Sequence, residues 1–123
     1  MKLDQRSEIP LFVQIASSLE DAILSEIYPE ESQIPSTTEL STSLMINPAT
    51  VLKGMNLLVD EGIIYKKRGL GMFVSVGAVK EIKKKRVKSF NDSYISSLIV
   101  EATKLGISKE DVIEMIEGGY SNE

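Results

Sequence analysis

The chain has 123 residues, 42% of them apolar, a net charge of −4, and neither cysteine nor histidine. That length fits one or two small domains with a packed core, and the missing residue types exclude disulfides, thiolate metal sites and the commonest general base. No apolar run approaches the roughly 18–20 residues of a membrane span, and the start MKLDQRSEIP lacks a signal peptide's apolar stretch, so a cytoplasmic, non-enzymatic protein without cofactor is expected.

The first periodic segment begins at Pro10, a residue well tolerated in a first helical turn. Leu11, Ile15, Leu19, Ala22 and Ile23 form a helical stripe, with Ser17, Ser18, Glu20 and Asp21 outside it. After the break at Tyr28 to Ser32, Ser36 and Glu39 form an S-x-x-E capping box that starts a short helix from Thr37 to about Leu44. Asn47 as N-cap and Pro48 in the first turn then open a third helix, which runs to about Asp60 with Gly62 as its C-terminal cap. Val51, Met55, Leu58 and Val59 share one face of it, and Ala49, Lys53 and Asn56 lie opposite. Two helices joined by a tight turn, the second presenting small and polar groups outward, make a helix-turn-helix pattern.

The period then changes. Ile63 to Lys67 and Met72 to Val76 are short β-prone runs joined by Arg68-Gly69-Leu70-Gly71, which predicts a hairpin, and a hairpin directly after a recognition helix is a wing. Helical pattern returns at Ala78, first rich in Lys and Arg, then with Phe90, Tyr94, Leu98, Ala102 and Leu105 recurring every three or four residues up to Gly106. Ser108, with Asp111 three residues on, caps a last helix carrying Val112, Ile113 and Ile116, and Gly118-Gly119 is expected to end it.

Charge is segregated along this order. Residues 1–61 carry three basic and ten acidic side chains, residues 62–90 nine basic and one acidic, and residues 91–123 two basic and seven acidic. Local field rather than net charge decides where a phosphate backbone docks, and the basic third starts where a DNA-contacting wing would lie.

The stretch from Pro10 to Val74 resembles the GntR-type winged helix over essentially its whole length. Five pieces carry the likeness: Pro10 to Ile15, Ile34-Pro35-Ser36 with Glu39-Leu40, Asn47 to Val51, Leu58 to Ile64, and Arg68 to Val74. The tail narrows it, because a long helix followed by Leu105 to Val112 and a short final helix is similar to the YtrA-like subgroup. The resemblance implies a transcription regulator whose two tail helices pair with those of a second chain, and target genes that often encode transporters. It also marks departures: many relatives place an arginine where Thr38 and Pro48 stand, and the subgroup often has an asparagine at Ala49.

The expected architecture is therefore mainly α with a small β-hairpin. A winged helix-turn-helix DNA-binding domain covers residues 1–77 and a two-helix dimerisation tail covers residues 78–123. Candidate DNA-binding residues are Ser36, Thr37 and Thr38 at the second helix, where free N–H groups favour anions. Asn47, Pro48, Ala49, Thr50 and Lys53 stand on the reading helix, whose N-terminal part reaches base edges in this class of motif. Lys67, Arg68, Gly69 and Gly71 belong to the wing, where glycine permits close approach and arginine suits a narrow minor groove. Lys80 and Lys83 to Arg86 fit either phosphate contact or simple solvation. Phe90, Tyr94, Leu98, Ala102 and Leu105 are the candidate dimer seam. The expected partners are double-stranded DNA, read at a palindromic operator, and a second copy of the chain; the function is that of a repressor, with any small-molecule effector left open. The alternative is a winged-helix protein-interaction module without specific DNA binding, against which the cluster Lys66-Lys67-Arg68 argues.

Overall fold

A computed structural model describes residues 1–122. The elements in chain order are α1 (Leu11–Leu24), α2 (Thr37–Leu44), α3 (Pro48–Asp60), β1 (Ile64–Lys67), β2 (Gly71–Val74), α4 (Ala78–Phe90), a π-helical turn (Asn91–Ile95), α5 (Ser96–Lys104) and α6 (Lys109–Ser121). The mainly helical architecture with a two-stranded hairpin is as the sequence predicts. The chain divides into two compact units, Met1–Lys83 and Lys84–Glu123.

The first unit holds the core. Ile15, Leu19 and Ile23 of α1, Val51, Met55 and Leu58 of α3, and Ile63, Ile64 and Val74 of the hairpin are all sealed from water, and Leu40 closes the α2 side. Each large side chain so buried contributes about 1.5–3 kcal/mol, which lets a three-helix motif this small stand on one core. Glu20, predicted to lie off the α1 stripe, is instead only 4% exposed. Its carboxylate is engaged rather than orphaned, and that makes its burial tolerable. Helix α4 starts inside this unit as well: Ala78 and Ile82 are buried in the same core, so the basic helix is anchored at its first turn beyond the 77/78 boundary read from sequence.

Two long-range features complete the wing. The hairpin pairs Ile64 with Val74 and Lys67 with Gly71 in antiparallel register. A third extended piece, which sequence reading leaves as a loop, joins β2: Glu31 N donates to Val74 O at 2.8 Å, Val74 N to Ser32 O at 2.9 Å and Ile34 N to Met72 O at 2.9 Å. This ties the chain before α2 to β2, which then lies between it and β1, so the wing does not stand as an isolated hairpin, which would be marginal in water.

Glu30 extends the same tie to α4. Its carboxylate accepts from Gly77 N at 2.7 Å and from Val79 N at 3.1 Å, the free N–H groups at the start of that helix. These two bonds, Gly77 first, hold its carboxyl below the ordinary value of 4.5. A lowered folded pKa adds stability that is present above the unfolded value and lost as pH falls through the folded one. Glu30→Gln is therefore expected to flatten the decline of thermal stability between about pH 5 and pH 3. Parallel wild-type and variant melting curves across that range would show that the cap carries no such linkage.

The second unit has a different character. Among its described residues none is buried, and Ile95, Ala102, Ile107 and Val112 are only half-covered. Ser108 caps α6 as predicted, accepting from Asp111 N at 3.1 Å. Gly118 and Gly119 do not end α6, which continues to Ser121. A helical glycine costs about 1 kcal/mol against alanine, which weakens a helix without stopping it. The other departure is the π-helical turn, where Ser96 N–H reaches back five residues to Asn91 O. That wide turn locally breaks the 3.6-residue spacing within the Phe90-to-Leu105 stripe.

Candidate nucleic-acid interface

Helix α2 begins with both bonds of the predicted capping box. Ser36 Oγ accepts from Glu39 N at 3.0 Å, and Ser36 N donates to Glu39 Oε1 at 3.1 Å. Ser36 keeps its hydroxyl proton for an outside acceptor. The positive end of α2 already holds the Glu39 carboxylate, which tempers its attraction for phosphate. Thr37 is half-buried and its Oγ1 donates to Met55 Sδ at 3.3 Å, so its hydroxyl is turned to the core, whereas Thr38 is exposed.

Met45 closes α2 in the left-handed region, with φ 57°, a conformation that usually calls for glycine. Asn47 then caps α3 by accepting from Ala49 N at 2.8 Å, with Pro48 in the first turn. Local chemistry thus sets the turn and the start of the reading helix. The outward side of α3 carries Pro48, Ala49, Leu52, Lys53 and Asn56, all exposed; Thr50 is half-buried. Lys53 stands there as predicted, but its ammonium lies 4.1 Å from the Phe12 ring centroid, a cation–π contact that steers it toward α1. Leu52, exposed beside it, is the residue sequence reasoning overlooked, because attention to polar groups passes over an apolar one.

The wing tip is cationic and open. Lys66, Lys67, Arg68 and Gly69 are exposed, and Gly69 takes φ 79°. Lys67 Nζ sits 4.5 Å over the Phe73 ring, which itself pairs with Tyr65 at 6.1 Å. Gln33 Nε2 donates to Leu70 O at 2.6 Å and holds the loop from below. Gly71 has its reason here: at φ 118° an added Cβ would meet Gln33 Nε2 at 2.7 Å. Its lack of a side chain serves the Gln33 contact within the wing. Of the basic run after the wing, Lys80, Lys83 and Lys84 are exposed, while Lys85 and Arg86 are half-covered and engaged.

Residues 11–74, from α1 to the end of β2, match the profile of the bacterial regulatory proteins of the gntR family. The chain belongs to the GntR family. Its GntR motif is therefore a helix-turn-helix of transcription regulators, and the chain is not an enzyme. The HTH-type transcriptional repressor YtrA of Bacillus subtilis is 30% identical over 95% of this chain and 89% of its own length. That match runs through both units, in keeping with the YtrA-like subgroup. A protein of Bacteroides thetaiotaomicron described as a GntR-family regulator superposes with a TM-score of 0.79 at 32% identity, covering 90% of this chain and 96% of that one. The crystal structure of AraR(DBD) in complex with operator ORX1 is similar with a TM-score of 0.55 at 25% identity, over 61% of this chain and 93% of that one.

The candidate seam residues fall in the second unit. Tyr94 is 68% exposed and Leu98 36%; Phe90 and Leu105 are also open, Ala102 half-covered, and the Phe90 and Tyr94 rings lie 5.5 Å apart. Apolar exposure is broader than the predicted stripe: Val87, Ile99, Val100, Ile113, Met115, Ile116 and Tyr120 are exposed too.

Proposed function

We propose that this GntR protein is a cytoplasmic repressor that binds a palindromic operator as a homodimer. Helix α3 enters the major groove, and the wing tip follows the backbone into the adjacent minor groove. Two copies set their reading helices about one turn of DNA apart, ~34–36 Å, and occupancy of a promoter blocks transcription. The observation that carries the DNA reading is the open cationic tip Lys66-Lys67-Arg68 in the same compact unit as a reading helix with an exposed face. The likeness to an operator-bound AraR(DBD) and to the repressor YtrA supports it.

Roles follow from accessibility. Ser36 and Thr38 contact phosphate; Asn47, Ala49, Thr50 and Lys53 face base edges; Lys67, Arg68 and Gly69 approach the backbone and minor groove. Thr37, Pro48 and Gly71 shape the chain on which those groups stand. The dimer reading rests on the tail: a unit with no buried residue among those described and many exposed apolar ones has nothing of its own to hold it folded. A second copy supplies the missing cover.

A titration against random genomic duplex at several salt concentrations tests the reading. With about three to five phosphates neutralised per protomer, log K is expected to fall against log salt with a slope of roughly −5 to −9 for the dimer. A slope near zero would leave the wing as a protein-docking surface and remove the DNA claim.

A further inference from the structure

The outward face of α3 is poor in cations. Helix α2 contains no cation, and α3 contains one, Lys53, already drawn over Phe12 at 4.1 Å. Bidentate Arg or Lys contacts to guanine are the commonest specific readout in a major groove, and here that mode is confined to a single tethered lysine. Ala49 and Asn56 stand with Lys53 on the side opposite the core, and Leu52, three residues on from Ala49 and 48% exposed, flanks them. An exposed leucine on a solvent surface is ordinary. On a helix face that meets DNA, a leucine must lose water against something, and against a phosphate or a polar base edge that loss brings no return. The only apolar group a base edge offers in the major groove is the C5-methyl of thymine.

We propose that Leu52, with Ala49 beside it, reads thymine C5-methyl groups, so that affinity depends on 5-methylated pyrimidines at fixed positions in each half-site. This rests on the DNA-binding reading above and names the chemical group that reading leaves open. Leu52 is thereby a specificity-determining residue. Its exposure means that shortening it leaves the core untouched.

The test begins with selection of bound sequences from a random duplex library by the full-length protein. The enriched site is then synthesised with each thymine in turn replaced by deoxyuridine, which deletes the methyl group and keeps the pairing. Wild type and Leu52→Ala are titrated on every duplex at one salt concentration, with thermal unfolding as a check that the variant is folded. For the wild type, uracil at one or two positions per half-site is expected to weaken binding about fourfold, the value of one buried methyl group. Changing both symmetry-related positions should weaken it about 15-fold, since well-separated losses multiply. At its own position Leu52→Ala should bind thymine and uracil alike, and 5-methylcytosine placed there should restore wild-type affinity to near that of thymine. A site whose thymines all tolerate uracil overturns the proposal while leaving the regulator intact. A uracil penalty that survives undiminished in Leu52→Ala at every position does the same. A library that yields no enriched sequence removes the proposed operator reading, and this inference with it.

Discussion

Leu98→Asp is expected to convert the proposed dimer to a monomer whose winged unit stays folded, and to weaken binding to a full operator by roughly 100-fold or more while sparing non-specific binding per wing. Leu98 is 36% exposed in a unit that has no buried residue of its own among those described, so on the dimer reading a second copy completes its cover. Each large apolar side chain buried across an interface is worth about 1.5–3 kcal/mol. In a two-fold interface the substitution appears twice, and a buried carboxylate without a partner costs several further kcal/mol. The winged unit keeps its own core of Ile15, Leu19, Met55 and Leu58, so the monomer remains able to touch DNA with one reading helix. What it loses is the high effective concentration of the second half-site. Because Leu98 also lies beside Val112 and Ile116 of α6, the exposed Tyr94 serves as the separating variant: Tyr94→Asp costs an isolated chain little, so dissociation there reports the seam itself. Sedimentation of both variants, with titrations on full and half operators, decides the matter. If both stay dimeric, or if the monomers bind the full site as tightly as the wild type, the tail is not the dimer seam.

The parts of this fold that were legible in sequence are those set by neighbours along the chain. Helices α2 and α3 begin where Ser36 with Glu39 and Asn47 with Pro48 place them, because each N-cap is satisfied within three residues. What sequence did not disclose is non-local. Glu30 caps a helix 47 residues on, and Gln33 reaches the carbonyl of Leu70, pairings that no local pattern announces. Burial of Glu20 and exposure of Leu52 depart from simple polarity rules because tertiary packing, not periodicity, decides which side of a helix is covered. The π-helical turn at Asn91–Ile95 has no signature in a stripe of constant spacing, although it leaves the Phe90 and Tyr94 rings 5.5 Å apart. The candidate site was therefore visible as a list of outward residues, while the tethering of Lys53 to Phe12 and of Lys67 to Phe73 came only with the structure.

Gly54→Ala is expected to destabilise the winged unit by roughly 1–3 kcal/mol, lowering its melting temperature by about 4–20 °C. By propensity alone the sign would be opposite, since alanine in a helix interior is favoured over glycine by about 1 kcal/mol. Gly54 sits on the inward face of α3 where α1 crosses it. A Cβ there would lie 2.7 Å from the carbonyl oxygen of Phe12 and 3.2 Å from both Cβ and Cγ2 of Ile15. The first is backbone and cannot swing away as a flexible side chain can, so α1 must move as a body from α3. That movement opens the packing of Ile15 against Val51 and Met55, and shifts Phe12 from beneath Lys53. Operator affinity should fall with it even at temperatures where the variant is folded. Gly118→Ala in α6 is the control, because nothing lies within 4 Å of the added carbon; there the same substitution is expected to leave stability unchanged or raise it. Thermal unfolding of the two variants side by side measures the difference directly. A Gly54→Ala protein as stable as the wild type would mean that α1 and α3 have slack at their crossing, and that the position of Lys53 is not set by it.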